Sequence, residues 1–392
     1  MSGVREESKT KTQQTLPPGW RWVRLGDVCE QDRQIIEPGT PLAASLPYLS
    51  LEHIESDTGR ILRLPSEAVE DEGQSTTFAF DHRHVLYGKL RPYLNKVALP
   101  DFEGRCTTEL IPLLRREIDR YFLAWLLRRR ETVETVMRGT TGSRMPRANM
   151  DDLLALQVLL PPLSEQQRIA AILNERMAAI ERARAAAEEQ LELLANLVNS
   201  CLRQSLSVAP IRRMPLKQCL VEVASGVGPT WSQYQVIGAT RAGLALAKEK
   251  VGKRPERYKL VDAGTIFYNP MRILLGSIAT VDDGDEPGIT SPDYVVFKTR
   301  EGILHPRWFY YWFRSPYGEA FIKSLTRGAV RERLLFKRLS AAEIDVPPWD
   351  AQLHAAEKLK VVPRVKWAVS EQLDAINQMP AALLRQAFNG EL

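Results

Sequence analysis

Leu159-Leu160-Pro161-Pro162-Leu163-Ser164-Glu165-Gln166-Gln167 is echoed later in the chain by Val346-Pro347-Pro348-Trp349-Asp350-Ala351-Gln352. Each copy is followed by a polar, Ala/Leu-rich stretch that reads as helix. The two stretches end alike, in Cys201-Leu202-Arg203-Gln204-Ser205 and Leu383-Leu384-Arg385-Gln386-Ala387. The period of about 185 residues lies far beyond the roughly 20–50 of a solenoid repeat. The pattern is a duplicated module, a globular part plus a helix, used twice in 392 residues. A protein built this way is expected to meet a partner that also has two parts.

The stretch 164–205 is the clearest helix. Ser164 with Gln167 three residues on reads as a capping-box start. Spacings of four and three then run through Leu173, Met177, Ile180, Arg184, Ala187, Leu191, Leu194, Val198 and Cys201. That is a heptad seam with Arg184 as its one charged break. At 1.5 Å per residue the rod is about 60 Å long, and its single apolar stripe needs a partner helix. The second copy supplies one, with Leu359, Pro363, Lys366, Val369, Leu373, Ile376, Pro380, Leu383 and Ala387 along its seam. The helix-pair interface is therefore placed at Leu173, Met177, Ile180, Leu191, Leu194, Val198, Leu373, Ile376 and Leu383. An interior proline costs a helix about 3 kcal/mol. A break or kink is expected before Pro363 or Pro380, each proline opening a new segment.

The globular parts read as strand and turn around one helix. In the first, Val23–Val28, Tyr48–Leu51, His84–Tyr87, Lys96–Leu99 and Leu110–Leu114 are short apolar runs, and Tyr121–Met137 is the helix candidate. In the second, Tyr234–Thr240, Thr265–Tyr268, Gly276–Val281 and Tyr294–Lys298 precede a helix candidate over Pro306–Leu325. The run Trp308-Phe309-Tyr310-Tyr311-Trp312-Phe313 reads as core rather than as a base-stacking platform. Arg128-Arg129-Arg130 reads as a solvated helix end. The fold class is α+β. The domains are a disordered tail over 1–15, a first globular domain over 16–162, a helix over 163–206, a second globular domain over 207–348 and a closing helix over 349–392.

Composition narrows the function classes. No run of 18 apolar residues exists, so no membrane span is expected, and the polar start is not a signal peptide. Cys29, Cys106, Cys201 and Cys219 are scattered without a Cys-x-x-Cys pair, which suits a reducing cytoplasm. The net charge of +5 is uneven. Residues 1–162 carry 22 cations against 23 anions, whereas 207–348 carry 21 against 14. An excess of that sign points toward a polyanion such as nucleic acid.

No catalytic constellation accompanies it. There is no Gly-x4-Gly-Lys-Ser/Thr loop and no Gly-x-Ser-x-Gly elbow. His82 and His84 flank Arg83 in a strand-like run and read as a surface or packing pair, not a metal site. Asn269-Pro270 reads as a turn, since the second proline and the aromatic of an amino-methyltransferase motif are missing. Asp282-Asp283-Gly284-Asp285-Glu286 reads as a solvated hairpin loop lacking the distal Glu of a calcium loop.

The arginines repeat, however. Lys89-Leu90-Arg91-Pro92-Tyr93 follows one strand and Tyr268-Asn269-Pro270-Met271-Arg272 ends another; aligned on Tyr87 and Tyr268, Arg91 falls on Arg272. Further on, Gly142 to Arg147 matches Gly328 to Arg333, with Arg144 on Arg333 when Gly139 is set on Gly328. Arginine can fork onto guanine or pair with phosphate; the alternative is ion pairing with surface carboxylates.

Four segments carry a resemblance to a known family. Leu16-Pro17-Pro18-Gly19-Trp20-Arg21-Trp22-Val23-Arg24-Leu25-Gly26-Asp27-Val28 resembles the start of the first target-recognition domain in specificity subunits of type I restriction–modification enzymes. Leu159 through Leu173 resembles the family's central helix, Tyr268 through Ile278 a frequent recognition-domain segment, and Leu384 through Leu392 the ending of its last helix. The four in this order cover 16–392. The resemblance implies two target-recognition domains in tandem, held apart by two long antiparallel helices. Each domain reads one half of a split double-stranded DNA sequence, and the helices measure the spacer. It implies no cofactor in this chain. Two modification subunits bring S-adenosylmethionine and methylate adenine, and restriction subunits bring ATP, Mg and cleavage, all in a bacterial or archaeal cytoplasm.

Carried over by position, the resemblance makes Lys89, Arg91, Tyr93, Arg144, Arg147 and Asn149 candidate DNA contacts in the first domain. In the second they are Tyr268, Arg272, Arg331, Arg333 and Lys337. Family members often show Gln and Asn after the position of Gly142, where Arg144 and Arg147 stand here. The competing readings are a specificity subunit serving a single-chain cleaving methyltransferase and a coiled-coil scaffold that binds proteins through its globular ends.

Overall fold

The computed structural model describes residues 18–62, 75–142, 144–247, 251–326 and 333–392. The tail expected over 1–15 lies outside them. The chain divides into two units: Met1–Ala185 with Asp374–Leu392, and Ala186–Leu373. Among the described residues no helix is long and apolar enough to cross a membrane.

In the first unit the globular part is closed by an antiparallel ribbon of Arg21–Arg24 on Gln157–Leu160, with Arg21 opposite Leu160. Inside it lie two sheets. One is antiparallel, in the order Cys29–Gln31, Leu110–Arg115, His84–Gly88, Val97–Ala98. The other runs Ile35–Ile36, Thr77–Phe80, Gly104–Thr107, Tyr48–Leu49, with its last pair parallel.

The second unit repeats the frame. Arg212–Pro215 pairs with Glu343–Val346 as the ribbon. The antiparallel sheet is Leu220–Glu222, Val295–Thr299, Thr265–Tyr268, Ile278–Thr280. In the other sheet, Lys259–Val261, Gly288–Thr290 and Gln235–Thr240 correspond to the last three strands of the first copy, again with one parallel pair. The edge differs. Ile35–Ile36 lies beside Thr77–Phe80, whereas Gly243–Leu246 forms a hairpin with Gln235–Thr240.

Several local readings are corrected. The run Val23–Val28 is strand only to Arg24; Leu25–Val28 is one helical turn that buries Leu25 and Val28, an i, i+3 pair. The helix expected over Tyr121–Met137 is two, Arg120–Arg128 and Arg130–Arg138, and its twin is Pro306–Arg314 and Pro316–Thr326. Pro316 explains the second break, because the residue before a proline avoids the helical region; Ser315 sits at ψ 168°. Hydroxyls take up the freed carbonyls, Thr132 Oγ1 donating to Leu126 O at 2.8 Å and Ser315 Oγ to Trp312 O at 2.6 Å.

Arg128 is not a solvated helix end. It is 7% exposed, lies over the Trp125 ring at 4.6 Å and donates from Nε to Val97 O at 3.2 Å. Burial holds its guanidinium down to about 10. The aromatic run of the second unit is core, with Trp308, Phe309 and Phe313 fully buried and Phe309 stacked on Phe313 at 5.3 Å.

The long helix runs Leu163–Leu206, 44 residues. It begins one residue before Ser164, so the capping box does not form. Glu165 and Gln166 donate instead to Pro162 O at 2.9 and 3.0 Å.

The echoed motif has another purpose. Gln166 is 1% exposed, accepts from Asp119 N at 2.8 Å and donates to Pro161 O at 2.9 Å. Gln352 is fully buried, accepts from His305 N at 2.8 Å and donates to Ile303 O and Pro347 O, both at 2.9 Å. Asp119 and His305 are the N-caps of the Arg120 and Pro306 helices. Each glutamine thus satisfies an orphan donor at a helix start and ties that helix to the Pro-Pro entry of its own unit.

Within the first unit, Arg168 Nη2 donates to Leu392 O at 2.7 Å and Arg184 Nε to Asn377 Oδ1 at 3.0 Å, so residues 374–392 run antiparallel to 163–185. Leu173 and Ile180, like Ile376 and Leu383, are buried, and Met177 is half-buried. Within the second unit, Cys201 and Leu202 share a core with Ala355, Leu359 and Val362, against which Leu194 and Val198 pack. Leu191 and Leu373 are half-buried. The closing helix is broken between Leu359 and Val362, and Pro363 falls in the first turn of Val362–Phe388, where its missing N–H is not needed. Pro380 does not open a segment. The helix carries through it, the loss of the bond to Ile376 O being borne by a helix anchored on both sides through buried Ile376 and Leu383.

Candidate nucleic-acid interface

In the first unit the buried strand His84–Gly88 delivers the chain into a tight 3-10 turn, Pro92–Leu94. Arg91 (φ 52°) and Asn95 (φ 50°) flank it in the left-handed region. Non-glycine residues adopt that region at a cost of roughly 1–2 kcal/mol, so the surroundings must hold them there. Arg91 N donates to Pro146 O at 2.7 Å, and Ala148 N to Lys89 O at 2.8 Å. Arg147 exchanges backbone bonds with Thr141 at 3.0 and 3.2 Å. The segments 89–93 and 144–149, far apart in sequence, are therefore stitched together.

At this junction Tyr93 is 52% exposed and Arg144 is exposed. Arg91 is half-buried, its Nε enclosed without a hydrogen-bond partner among the described residues. Arg147 and Lys89 converge on Glu109, at 3.0 and 3.9 Å. Asn149 is exposed, but its side-chain oxygen caps Met150–Leu154 by accepting from Asp151 N at 3.0 Å. That lone-pair direction is already used.

The second unit builds the same junction differently. Thr265–Tyr268 ends in Asn269, whose side chain accepts from Met271 N at 3.0 Å. The 3-10 turn Ile273–Leu275 follows and is closed by Gly276 at φ 80°. Leu334 N donates to Pro270 O at 3.2 Å, which docks the segment beginning at Arg333 onto this turn. Arg272, Arg333 and Lys337 are exposed and form no ion pair among the described residues. Arg331 lies outside the described residues.

Tyr268 is corrected. It is wholly buried, its ring packs on Phe297 (6.3 Å) and Phe313 (6.0 Å), and its hydroxyl donates to Leu334 O at 3.0 Å. Burial pushes the phenol far above its ordinary range. The strand is buried on both faces, so Tyr268 braces the junction from within the core and does not face a ligand.

Sequence reasoning missed Glu109, which sits in the short turn between the two sheets and meets its cations only through the fold. It also missed Met271, Leu275 and Leu335, which are 62%, 69% and 56% exposed. Their apolar character gave no reason to place them outside the core.

Other clusters offer less. Among the described residues no group of three His, Cys, Asp or Glu could hold a metal ion. All four cysteines are free and buried, and burial pushes the Cys29 thiol up to about 12. His84 is packed between Asp32 and Asp81, each at 3.1 Å. A cleft of about 410 Å³ is lined by Arg21, Arg115 and Arg116, but Arg21 is paired with Glu117 and Arg116 with Glu30.

Comparisons with known proteins bear on the family resemblance and the fold. Residues 17–192 match the profile of the type I restriction modification DNA specificity domain. The chain is 27% identical over 206 residues to the type I restriction enzyme EcoDI specificity subunit of Escherichia coli, a match that covers 51% of this chain and 44% of that protein. The matched stretch thus spans less than half the length of that relative.

Solved structures resemble the chain over almost its whole length. A chain from a study of complex assembly and conformational transition in the type I R-M system superposes with a TM-score of 0.64 at 21% identity, covering 96% of this chain and 100% of that one. The S subunit from M. genitalium gives 0.57 at 13% identity, with 96% and 98% covered. The HsdS subunit from Thermoanaerobacter tengcongensis gives 0.52 at 21%, with 97% and 99% covered. These identities speak to the fold. The profile covers residues 17–192, a little under half of the chain, and over that stretch the chain resembles the type I restriction modification DNA specificity domain.

Proposed function

We propose that this chain is the sequence-reading, non-catalytic subunit of a type I restriction–modification complex. Modules 16–162 and 207–348 each read one half of a bipartite double-stranded target. The paired helices 163–206 and 349–392 set the unread spacer and dock two modification subunits. S-adenosylmethionine enters with those subunits, which methylate adenine, and ATP and Mg enter with restriction subunits. The setting is the cytoplasm.

One observation carries this reading. Two modules on one frame each present a stiff turn with an arginine at the same structural position, braced by a second cationic segment, and the rest of the modules diverges. A shared frame with divergent loops suits two readers of different sequences. Base edges are told apart by side chains at fixed positions, while phosphate contacts set register.

The test is to purify the chain with its modification subunits and to map methylated adenines in the host genome by single-molecule sequencing. A bipartite motif that disappears on deletion of the gene is the expected result. In a moderate-salt binding assay with that target, Arg91→Ala and Arg272→Ala are each expected to weaken the complex about 10- to 100-fold, the range for a lost arginine–base or arginine–phosphate contact. Unchanged affinity in both variants contradicts the assignment of these turns.

A further inference from the structure

Three large apolar side chains stand in water beside the cations of the second module. Met271 and Leu275 flank Arg272 and are 62% and 69% exposed; Leu335, two residues from Arg333, is 56% exposed. The bond from Leu334 N to Pro270 O (3.2 Å) sets Met271 and Leu335 each one residue from the same backbone junction. The turn that carries them is fixed. Leu275 N donates to Arg272 O at 3.0 Å, Gly276 N to Ile273 O at 2.9 Å and Ser277 Oγ to Ala239 O at 2.6 Å, and Ile273 is buried as the anchor. The corresponding junction of the first module exposes Tyr93 (52%) and Met145 (46%).

The surroundings fit one class of occupant. No acidic residue occurs from 263 to 281 or from 333 to 342, while Arg272, Arg333 and Lys337 are exposed in these same segments. A protein partner would have to be acidic and apolar at once. A DNA duplex offers phosphates around an apolar interior of thymine methyls and base faces. A rigid turn also loses little freedom on binding, so its exposed apolar area converts efficiently into affinity.

We propose that Met271 and Leu275 make apolar contact with bases in the half-site read by the second module, with Leu335 supporting them and Arg272 holding the flanking phosphate or guanine. This rests on the DNA-reading function proposed above. The contact is to a thymine methyl group or to the faces of an opened base step. The chemistry is the same, and the two are separable by experiment.

The experiment uses the complex with its modification subunits and a duplex bearing the mapped target. Met271→Ala and Leu275→Ala truncate side chains that are mostly exposed, so unfolding midpoints stay close to the wild-type value. Each is expected to weaken target binding about tenfold, as for a large apolar side chain returned to water. The salt dependence of binding is expected to stay unchanged, whereas Arg272→Ala lowers it.

Uracil in place of thymine, one half-site at a time, probes the methyl. Equal, non-additive losses for uracil and for Leu275→Ala identify a methyl contact. A rise in 2-aminopurine fluorescence at the site, absent in the double variant, identifies an opened step. Full affinity and an unchanged methylation motif in the double variant overturn the inference. So does loss of the modification subunits from the double variant in gel filtration without DNA, which would make the patch a protein dock. If the wild-type complex itself shows no preference for the mapped duplex, the DNA-reading proposal fails first, and that outcome is distinct from the others.

Discussion

At the scale of single residues, one carboxylate gathers the cations of the first module's junction. Glu109 holds Arg147 at 3.0 Å and Lys89 at 3.9 Å, at the junction that also carries Arg91 and Tyr93. A carboxylate there repels phosphate and occupies two cations; it can also accept from a cytosine amino group in the major groove. Glu109→Gln is therefore expected to raise affinity for non-specific duplex several-fold and to steepen its salt dependence, while narrowing the margin between target and non-target. Competition binding with random-sequence DNA checks this, and weaker non-specific binding in the variant would contradict it. The arginines of this junction were legible because they recur at matching places in both copies. Glu109 was not, because nothing in Thr107-Thr108-Glu109 marks it and its partners lie tens of residues away. Tyr268 shows the opposite failure. Its place in a segment that resembles a recognition-domain stretch marked it as a contact, yet such a segment also holds the residue that packs the junction.

At the scale of elements, the echoed glutamines explain why the Pro-Pro motif is repeated at all. Gln352 makes three hydrogen bonds to backbone groups with no exposure to water. Gln352→Ala would strand buried donors and acceptors, at about 1–3 kcal/mol for each unsatisfied group before relaxation. A loss of about 3 kcal/mol in urea unfolding is expected, with a similar direction for Gln166→Ala; a loss under about 1 kcal/mol would show that water replaces the side chain. The same junction gives a pH dependence. His305 lies against Trp349 at 5.7 Å with its Nδ1 buried and without a partner among the described residues. Burial, then the neighbouring Arg307, holds it below its ordinary value of 6.5, against the weaker opposing pull of Asp283 and Asp282. The unfolded chain then binds the proton first, so stability is full above about pH 6.5 and falls as the pH drops through and below that value. Thermal midpoints between pH 7.5 and 5.5 should fall more for wild type than for His305→Gln, and parallel curves would dismiss the histidine. The heptad spacing made the long helix legible to within a residue at each end. The breaks at Arg129 and Ser315 were harder, because hydroxyls from Thr132 and Ser315 close them locally. Pro380 was over-read, since propensity counts one lost hydrogen bond and tertiary packing can outweigh it.

At the scale of the whole chain the duplicated frame was legible, because shared entry motifs and shared helix ends survive in sequence. The exchange of edge strands was not, since Ile35–Ile36 is two residues long and Gly243–Leu246 carries no distinctive alternation. The division of charge has a consequence for binding. Residues 207–348 hold 21 cations against 14 anions and residues 1–162 hold 22 against 23. Pairing sharpens the contrast, because Arg272, Arg333 and Lys337 have no ion pair among the described residues whereas Lys89 and Arg147 share Glu109. Each phosphate neutralised by a free cation contributes about 0.9 to the slope of log affinity against log salt, and an already paired cation contributes less. The second module should therefore supply most of the sequence-independent attraction and govern encounter with DNA. Replacing Arg272, Arg333 and Lys337 together by Ala is expected to lower the salt slope by about 2 to 3. Replacing Lys89, Arg144 and Arg147 is expected to lower it by about 1, chiefly through Arg144. Association rates on random-sequence duplex should fall in the same order. Equal slopes for the two triple variants would mean that the acidic excess of the first module is remote from its DNA-facing side and that both modules share the encounter.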